Sequence, residues 1–431
     1  MNFFDELVIP QSENHVLLVK YMLIITLILF IPYISMMLGA TFLSTHFNKK
    51  GKRHGNNIYT RFAKDIIEKL TITKSAGLAF GTIPAASILF AYAQLLYGAK
   101  TIAVNIMALA VLIFIIAITY VYKYRNTFKI ESEMEDSGHF GDNSDSGIIG
   151  KYSLLTALYL FAGTIALASN PDRWGHVGNI LQIIFSWQTI FNFLVFLSFA
   201  GMVSGSAILF YFFKWQGGVK DMSKDYESFV KNFAGGLTFI SSVLFPLTVF
   251  ISYLYLPVSA QSQNVFLYLL VFLSFAFFIC IYIYYMVKNS DTQPAALLFG
   301  LILTVLLLNI VKDQEAFGSA IEPQIIETVK TAHEIEKEVK AKLVSASGID
   351  AALIYNTKCI ACHKFDQKVV GPPYQQSVPK YNGDVNKLAE YIYNPQKIDP
   401  AFPPMPNQGL KKKEAQAIAK WLIDQVNKPK P

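Results

Sequence analysis

Charge is scarce in this chain. Asp, Glu, Lys and Arg together make up 16% of its 431 residues, against about 25% in an average soluble domain. Beside 53% hydrophobic residues, that shortfall excludes a single soluble globule. The scarcity is regional: residues 17–312 hold long apolar runs, whereas residues 313–431 have an ordinary soluble composition. The length allows two to three units, and no internal repeat is visible. The opening MNFFDELVIPQSEN lacks the basic stretch and small-residue cleavage site of a cleavable signal peptide. The first apolar run therefore reads as an uncleaved anchor.

What is present is a set of eight apolar segments, at 17–44, 76–98, 102–122, 152–170, 187–213, 233–256, 264–287 and 294–312. A bilayer core of about 30 Å takes roughly 20 apolar residues as a helix, and lipid offers no partner to a free backbone group. Each segment is thus expected to be a transmembrane helix. Pro32, Pro84 and Pro246 fall inside spans, where proline kinks a helix. The small-residue stretches at 77–87 and 200–207 suit close helix packing. Basic residues are nearly absent from alternate loops. The loops after the first, third, fifth and seventh segments carry seventeen Lys and Arg; the other loops carry Lys100 and Arg173, and residues 1–16 carry none. Positive loops stay cytoplasmic, so both termini are expected on the outer, periplasmic side of the cytoplasmic membrane. The acidic, Gly- and Ser-rich stretch 131–147 reads as a flexible cytoplasmic loop, with a metal site at His139 the less economical reading.

The seven histidines avoid the middle of every span. A haem b held between spans needs facing imidazoles, and only His15 and His176, at span ends, are placed to meet. Cys280 sits mid-span in an aromatic run and reads as a packing residue. Apart from Lys20, the spans offer no ionisable group to mark an ion pathway. Beyond them, 320–343 reads as a charged helix with favourable Glu336–Lys340 and Glu338–Lys342 pairs, serving as a stalk with His333 exposed. The expected division is a helical bundle over 1–312, a helical linker over 313–345 and a small domain over 346–431.

That last part contains TKCIACHKF, residues 357–365. Cys359 and Cys362, two residues apart with His363 next, form the C-x-x-C-H pattern of covalent haem attachment. Two thiols at this spacing add across the two haem vinyl groups, and the adjacent imidazole falls beneath the iron as axial ligand. Other readings stay open: a redox dithiol, which more usually accompanies a βαβ pattern; zinc, although residues 364–431 hold no further Cys or His; and a small-ring disulfide. Met405 is the only Met after position 286 and lies among Pro403, Pro404 and Pro406. A second axial ligand is often a Met. Amphipathic helices are expected over 385–393 and 411–427, the latter with Ala415, Ile418, Ala419, Leu422 and Ile423 inward.

With C-I-A-C-H, the following V-V-G-P-P, the P-P-M-P-N loop and a last helix containing Trp421, residues 346–428 resemble a class I mono-haem cytochrome c. The resemblance implies one covalent haem c, ligated by His363 and Met405. It places Pro372 beside the imidazole, its carbonyl accepting from the His363 Nδ1–H. It makes Tyr374, Tyr391 and Trp421 candidates at the haem propionates, with core packing as their alternative role. It also implies attachment outside the cytoplasmic membrane, which agrees with the loop charges. Residues 17–287 are similar to subunit I of cytochrome bd-type quinol oxidases in Pro32, in Y-T-R-F-A-K (59–64) and in V-S-G-S-A (203–207) before a Lys-rich loop. The departures are Leu27 and Phe196, which stand where that family has haem-ligand histidines, and a short loop at 257–264 in place of its quinol-binding loop.

The expected fold is all-α: a polytopic membrane bundle followed by a small helical cytochrome c domain. The expected function is a non-catalytic subunit that relays single electrons between a membrane respiratory complex and another carrier. Its partners would be the bilayer, the complex's other subunits and a redox protein docking at the basic haem domain, and nucleic acid is not among them. The alternatives are a quinol-oxidising subunit and a haem-based sensor.

Overall fold

The computed structural model describes residue 8 and residues 10–134, 144–289, 292–346 and 349–427. His139 and the centre of the acidic loop lie outside them, as do most of the first nine residues and the side chains of Lys340 and Lys342. Among the described residues every regular element is helical. Eight helices are long and apolar enough to cross a membrane: Glu13–His54, Lys74–Leu95, Ala103–Phe128, Asp145–Ala168, Trp187–Phe213, Lys224–Leu254, Gln263–Lys288 and Ala295–Ala320. Contacts divide the chain into two units, Met1–Ala332 and His333–Pro431.

In the first unit the first span packs against the second, fourth, fifth and eighth. The third and fourth, fifth and sixth, and seventh and eighth pair as neighbours, as short connections dictate. Outward side chains such as Leu112, Ile240, Phe277 and Phe278 are exposed and apolar, a face that lipid covers and water does not. The small residues of 200–207 do bring helices together. A Cβ on Gly205 would meet the Ala234 carbonyl of the sixth span at 2.9 Å, so only glycine permits this approach. Pro84 follows a π-helical turn, Gly77–Thr82, which accommodates the hydrogen bond that proline's missing N–H removes. Cys280 packs with its Sγ 3.0 Å from the Ser242 carbonyl.

The eighth helix does not stop at residue 312, as the charges there suggest, but continues to Ala320. The reason is local: the Lys312 ammonium, though buried, lies 2.9 Å from the Asp313 carboxylate, and Asn309 donates to that carboxylate at 2.8 Å. The next helix, Glu322–Ala346, begins as part of the bundle rather than as a free stalk. Thr328 is buried, Ile325 and Val329 pack on the core, and Gln324 donates to the Tyr97 carbonyl at 2.6 Å. His333 is exposed.

The second unit has its own small core. Ala415, Ile418, Ala419, Leu422 and Ile423 of the last helix, Lys412–Val426, are buried against Leu388, Ala389 and Ile392 of Val385–Tyr393. The helix Val385–Tyr393 starts where Asp384 accepts from the Asn386 and Lys387 amides, an N-cap.

Candidate functional site

The site forms where a helix fails to stay regular. Asp350 caps the short helix Ala351–Ile354 by accepting from the Leu353 amide at 3.0 Å. The helix then loosens into a π turn, Tyr355–Cys359. The Cys362 and His363 amides both donate to the Cys359 carbonyl, at 3.1 and 2.9 Å. One tight turn thus holds both thiols and the imidazole. The chain returns to close it, with the Val370 and Gly371 amides donating to the Cys362 carbonyl at 3.2 and 2.9 Å.

Cys359, Cys362 and His363 line one cleft. Its apolar wall comes from Val378, Leu388, Ile392, Leu410, Ile418 and Leu422, and Met405 lines it together with Pro403, Pro404 and Pro406. The four expected ligating or attaching residues therefore share one space, although Met405 is 42 positions beyond His363. The His363 Nδ1 is 3.0 Å from the Pro372 carbonyl. A carbonyl only accepts, so Nδ1 carries the proton and Nε2 keeps its lone pair for a metal. The Tyr374 ring stacks on the imidazole at 5.0 Å between centroids. On the ring's other surroundings, a Cβ at Gly371 would collide with His363 Cε1, so position 371 has room for glycine alone.

Neither cysteine is in a disulfide. Burial raises the Cys359 thiol above its ordinary range, while the Tyr374 hydroxyl and Lys358 act in the opposite sense. Burial also raises Tyr374, and the neighbouring Cys359 adds to it. Among the described residues no group of three His, Cys, Asp or Glu side chains gathers as a zinc site requires. The donor set fits a haem instead: two free thiols, an oriented imidazole and a thioether around an apolar slot.

Tyr391 and Pro372 line the cleft, as does Tyr374. Trp421 does not. It packs against Tyr355 at 5.2 Å and Phe365 at 5.9 Å, because its face of the last helix turns to that aromatic cluster, which is the core-packing role given as its alternative. Two features went unread in the sequence. Lys358 Nζ donates to the Gln408 carbonyl at 2.8 Å, tying the attachment turn to the Met405 loop, and Phe402 closes part of the cleft. Neither position carries a pattern that sets it apart from a surface lysine or a loop aromatic.

The family model for cytochrome c matches residues 350–424. Cytochrome c-551 of Pseudomonas aeruginosa is 37% identical over 76 residues, which cover 17% of this chain and 73% of that protein. Cytochrome c-552 of Nitrosomonas europaea is 33% identical over 79 residues, 17% of this chain and 76% of that protein. Cytochrome c2 of Rhodocyclus tenuis is 32% identical over 82 residues, 17% of this chain and 89% of that protein. No solved structure matches the chain. The likeness implies one covalently bound haem c and electron transfer, carried by a chain whose eight apolar helices make it a membrane protein. By its C-terminal domain, the chain belongs to the cytochrome c family.

Proposed function

We propose that this protein is an integral-membrane subunit that relays single electrons between a membrane respiratory complex and another carrier on the periplasmic side. One observation carries the site assignment: Cys359, Cys362, His363 and Met405 face a common cleft, with the imidazole oriented by the Pro372 carbonyl. Cys359 and Cys362 would hold the haem through thioethers, and His363 Nε2 and the Met405 sulfur would hold its iron. A haem so bound supplies a reversible one-electron couple. The chain's part is to hold and shield it: Pro372 fixes the ring tautomer, Tyr374 braces the imidazole, and the apolar wall excludes water. With the iron held by both His363 and Met405, no site would remain for dioxygen or substrate, which favours electron transfer over bond-making. Lys358, Lys380 and Lys397 sit on the cleft, and such charge steers an acidic redox partner. The basic bias of alternate loops supports the periplasmic placement of the C-terminal domain.

Replacing Met405 by Ala tests the reading. The expected result is a lower reduction potential and carbon monoxide binding to the reduced domain. An unchanged spectrum and potential would remove Met405 from the ligand set. Carbon monoxide binding by the unaltered protein would instead favour a sensor.

A further inference from the structure

The bundle holds a second cavity that the cytochrome domain does not explain. Its side walls are apolar and largely aromatic, with Phe30, Phe161, Phe196 and Phe245 among them. Its polar end is formed by Gln188 at the start of the fifth span and Asn309 near the end of the eighth. This is the end of the bundle at which the eighth span leads on to the C-terminal part of the chain.

Three polar atoms on the lining lack a partner, and one of them, the Tyr92 hydroxyl, can both donate and accept. Gln188 is 7% exposed; its Oε1 accepts from Asn170 at 3.3 Å, but its Nε2 makes no hydrogen bond. Asn309 is also 7% exposed; its Nδ2 donates to Asp313, but its Oδ1 makes none. The Asp313 carboxylate only accepts, so the Asn309 atom facing it is Nδ2 and the unused one is Oδ1. The neighbouring Ser252 and Asn192 show what a satisfied pair looks like, bonded to each other at 2.8 Å. A buried polar group without a partner costs about 1–3 kcal/mol. The cavity therefore presents one amide donor, one amide acceptor and one hydroxyl, all unused, to whatever fills it.

The charges narrow the choice. Lys312 is paired with Asp313 at 2.9 Å, so the polar end offers no free cation to an anionic headgroup. None of the described lining residues is His, Cys or Met, the common ligands of a haem iron. The remaining class is a neutral, lipid-soluble ring with oxygens that accept one hydrogen bond and donate another. We propose that this cavity binds a molecule of the quinone–quinol class, its ring between the aromatic walls and its oxygens on Gln188 Nε2 and Asn309 Oδ1. The preference for a redox-active ring rests on the electron-transfer reading of the C-terminal domain; the hydrogen-bonding geometry does not.

Equilibrium dialysis of the full-length holoprotein in detergent, with decyl-benzoquinone as probe, tests this. The expected result is saturable binding of one probe per chain. Gln188→Leu and Asn309→Leu should each weaken it at least tenfold. Ala162→Phe, which adds a ring at another position of the lining, should abolish it in a protein that keeps its thermal stability. Binding that does not saturate, equal affinity in all variants, or phospholipid as the sole occupant found by mass spectrometry of the purified protein would each overturn the proposal. Loss of probe binding from a chain that still carries covalent haem counts against this site alone. Intact probe binding by a chain without haem counts against the proposed function alone.

Discussion

Two cavities, one in each unit, are built in opposite ways. The one in the C-terminal unit is defined by reactive donors supplied largely by one turn of chain, Cys359 to His363, and its imidazole already has its hydrogen bond. The one in the bundle is defined by shape. Its residues come from six different spans, and its open hydrogen-bonding atoms are two single amide positions and the Tyr92 hydroxyl. The first is made for a group that is bonded in place and becomes part of the core. The second is made for a molecule that enters and leaves.

The sharpest way to break this contrast is to remove the thioethers. In a Cys359→Ala, Cys362→Ala double variant, denatured protein should carry no pigment that resists acidic acetone. The C-terminal unit should become protease-sensitive, because a core of this size depends on its prosthetic group, while the eight spans stay resistant. A fully resistant C-terminal unit would show that the haem is not part of its core. The converse is Gly205→Val. It should force the fifth and sixth spans apart at the Ala234 carbonyl and destabilise the bundle by about 1–3 kcal/mol, lowering its thermal midpoint without altering the haem absorption spectrum. Within the cytochrome domain, Gly371→Ala should push the imidazole off its Pro372 partner and cost about 1–3 kcal/mol. It is expected to perturb the axial-ligand absorption bands as well as thermal stability; unchanged bands would mean that the ring has room elsewhere. The smallest effect is expected of Asp384→Ala. It removes the N-cap of Val385–Tyr393 and should lower stability by about 1 kcal/mol, with the spectrum intact.

The same contrast explains what could be read from the sequence. Eight spans were legible because lipid imposes a length and a hydrophobicity on each one independently. C-I-A-C-H was legible because its chemistry needs contiguous residues, and Met405 because no other Met follows position 286. Both helices of the small core matched their periodicity. The end of the eighth span was misplaced because Lys312 and Asp313 look like a membrane boundary one at a time; folded, they neutralise each other and the helix runs on to Ala320. Trp421 is conspicuous in sequence, yet which side of its helix meets the cleft depends on how that helix is seated. Gln188 and Asn309 are invisible by any local rule. Each is an ordinary amide near a helix end, and only the meeting of distant spans gives the two a common purpose.

The proline-bounded loop around Met405 has a kinetic consequence. Three ring-locked residues fix the backbone on either side of the sulfur, and the Lys358 grip on the Gln408 carbonyl fastens the far end. When the charge at the centre changes by one unit, few nuclei around this thioether are free to move. With Met405 holding the iron as proposed, little rearrangement would stand between the oxidised and reduced forms, and the exchange of an electron would be limited by how closely a partner approaches rather than by the protein having to reshape itself.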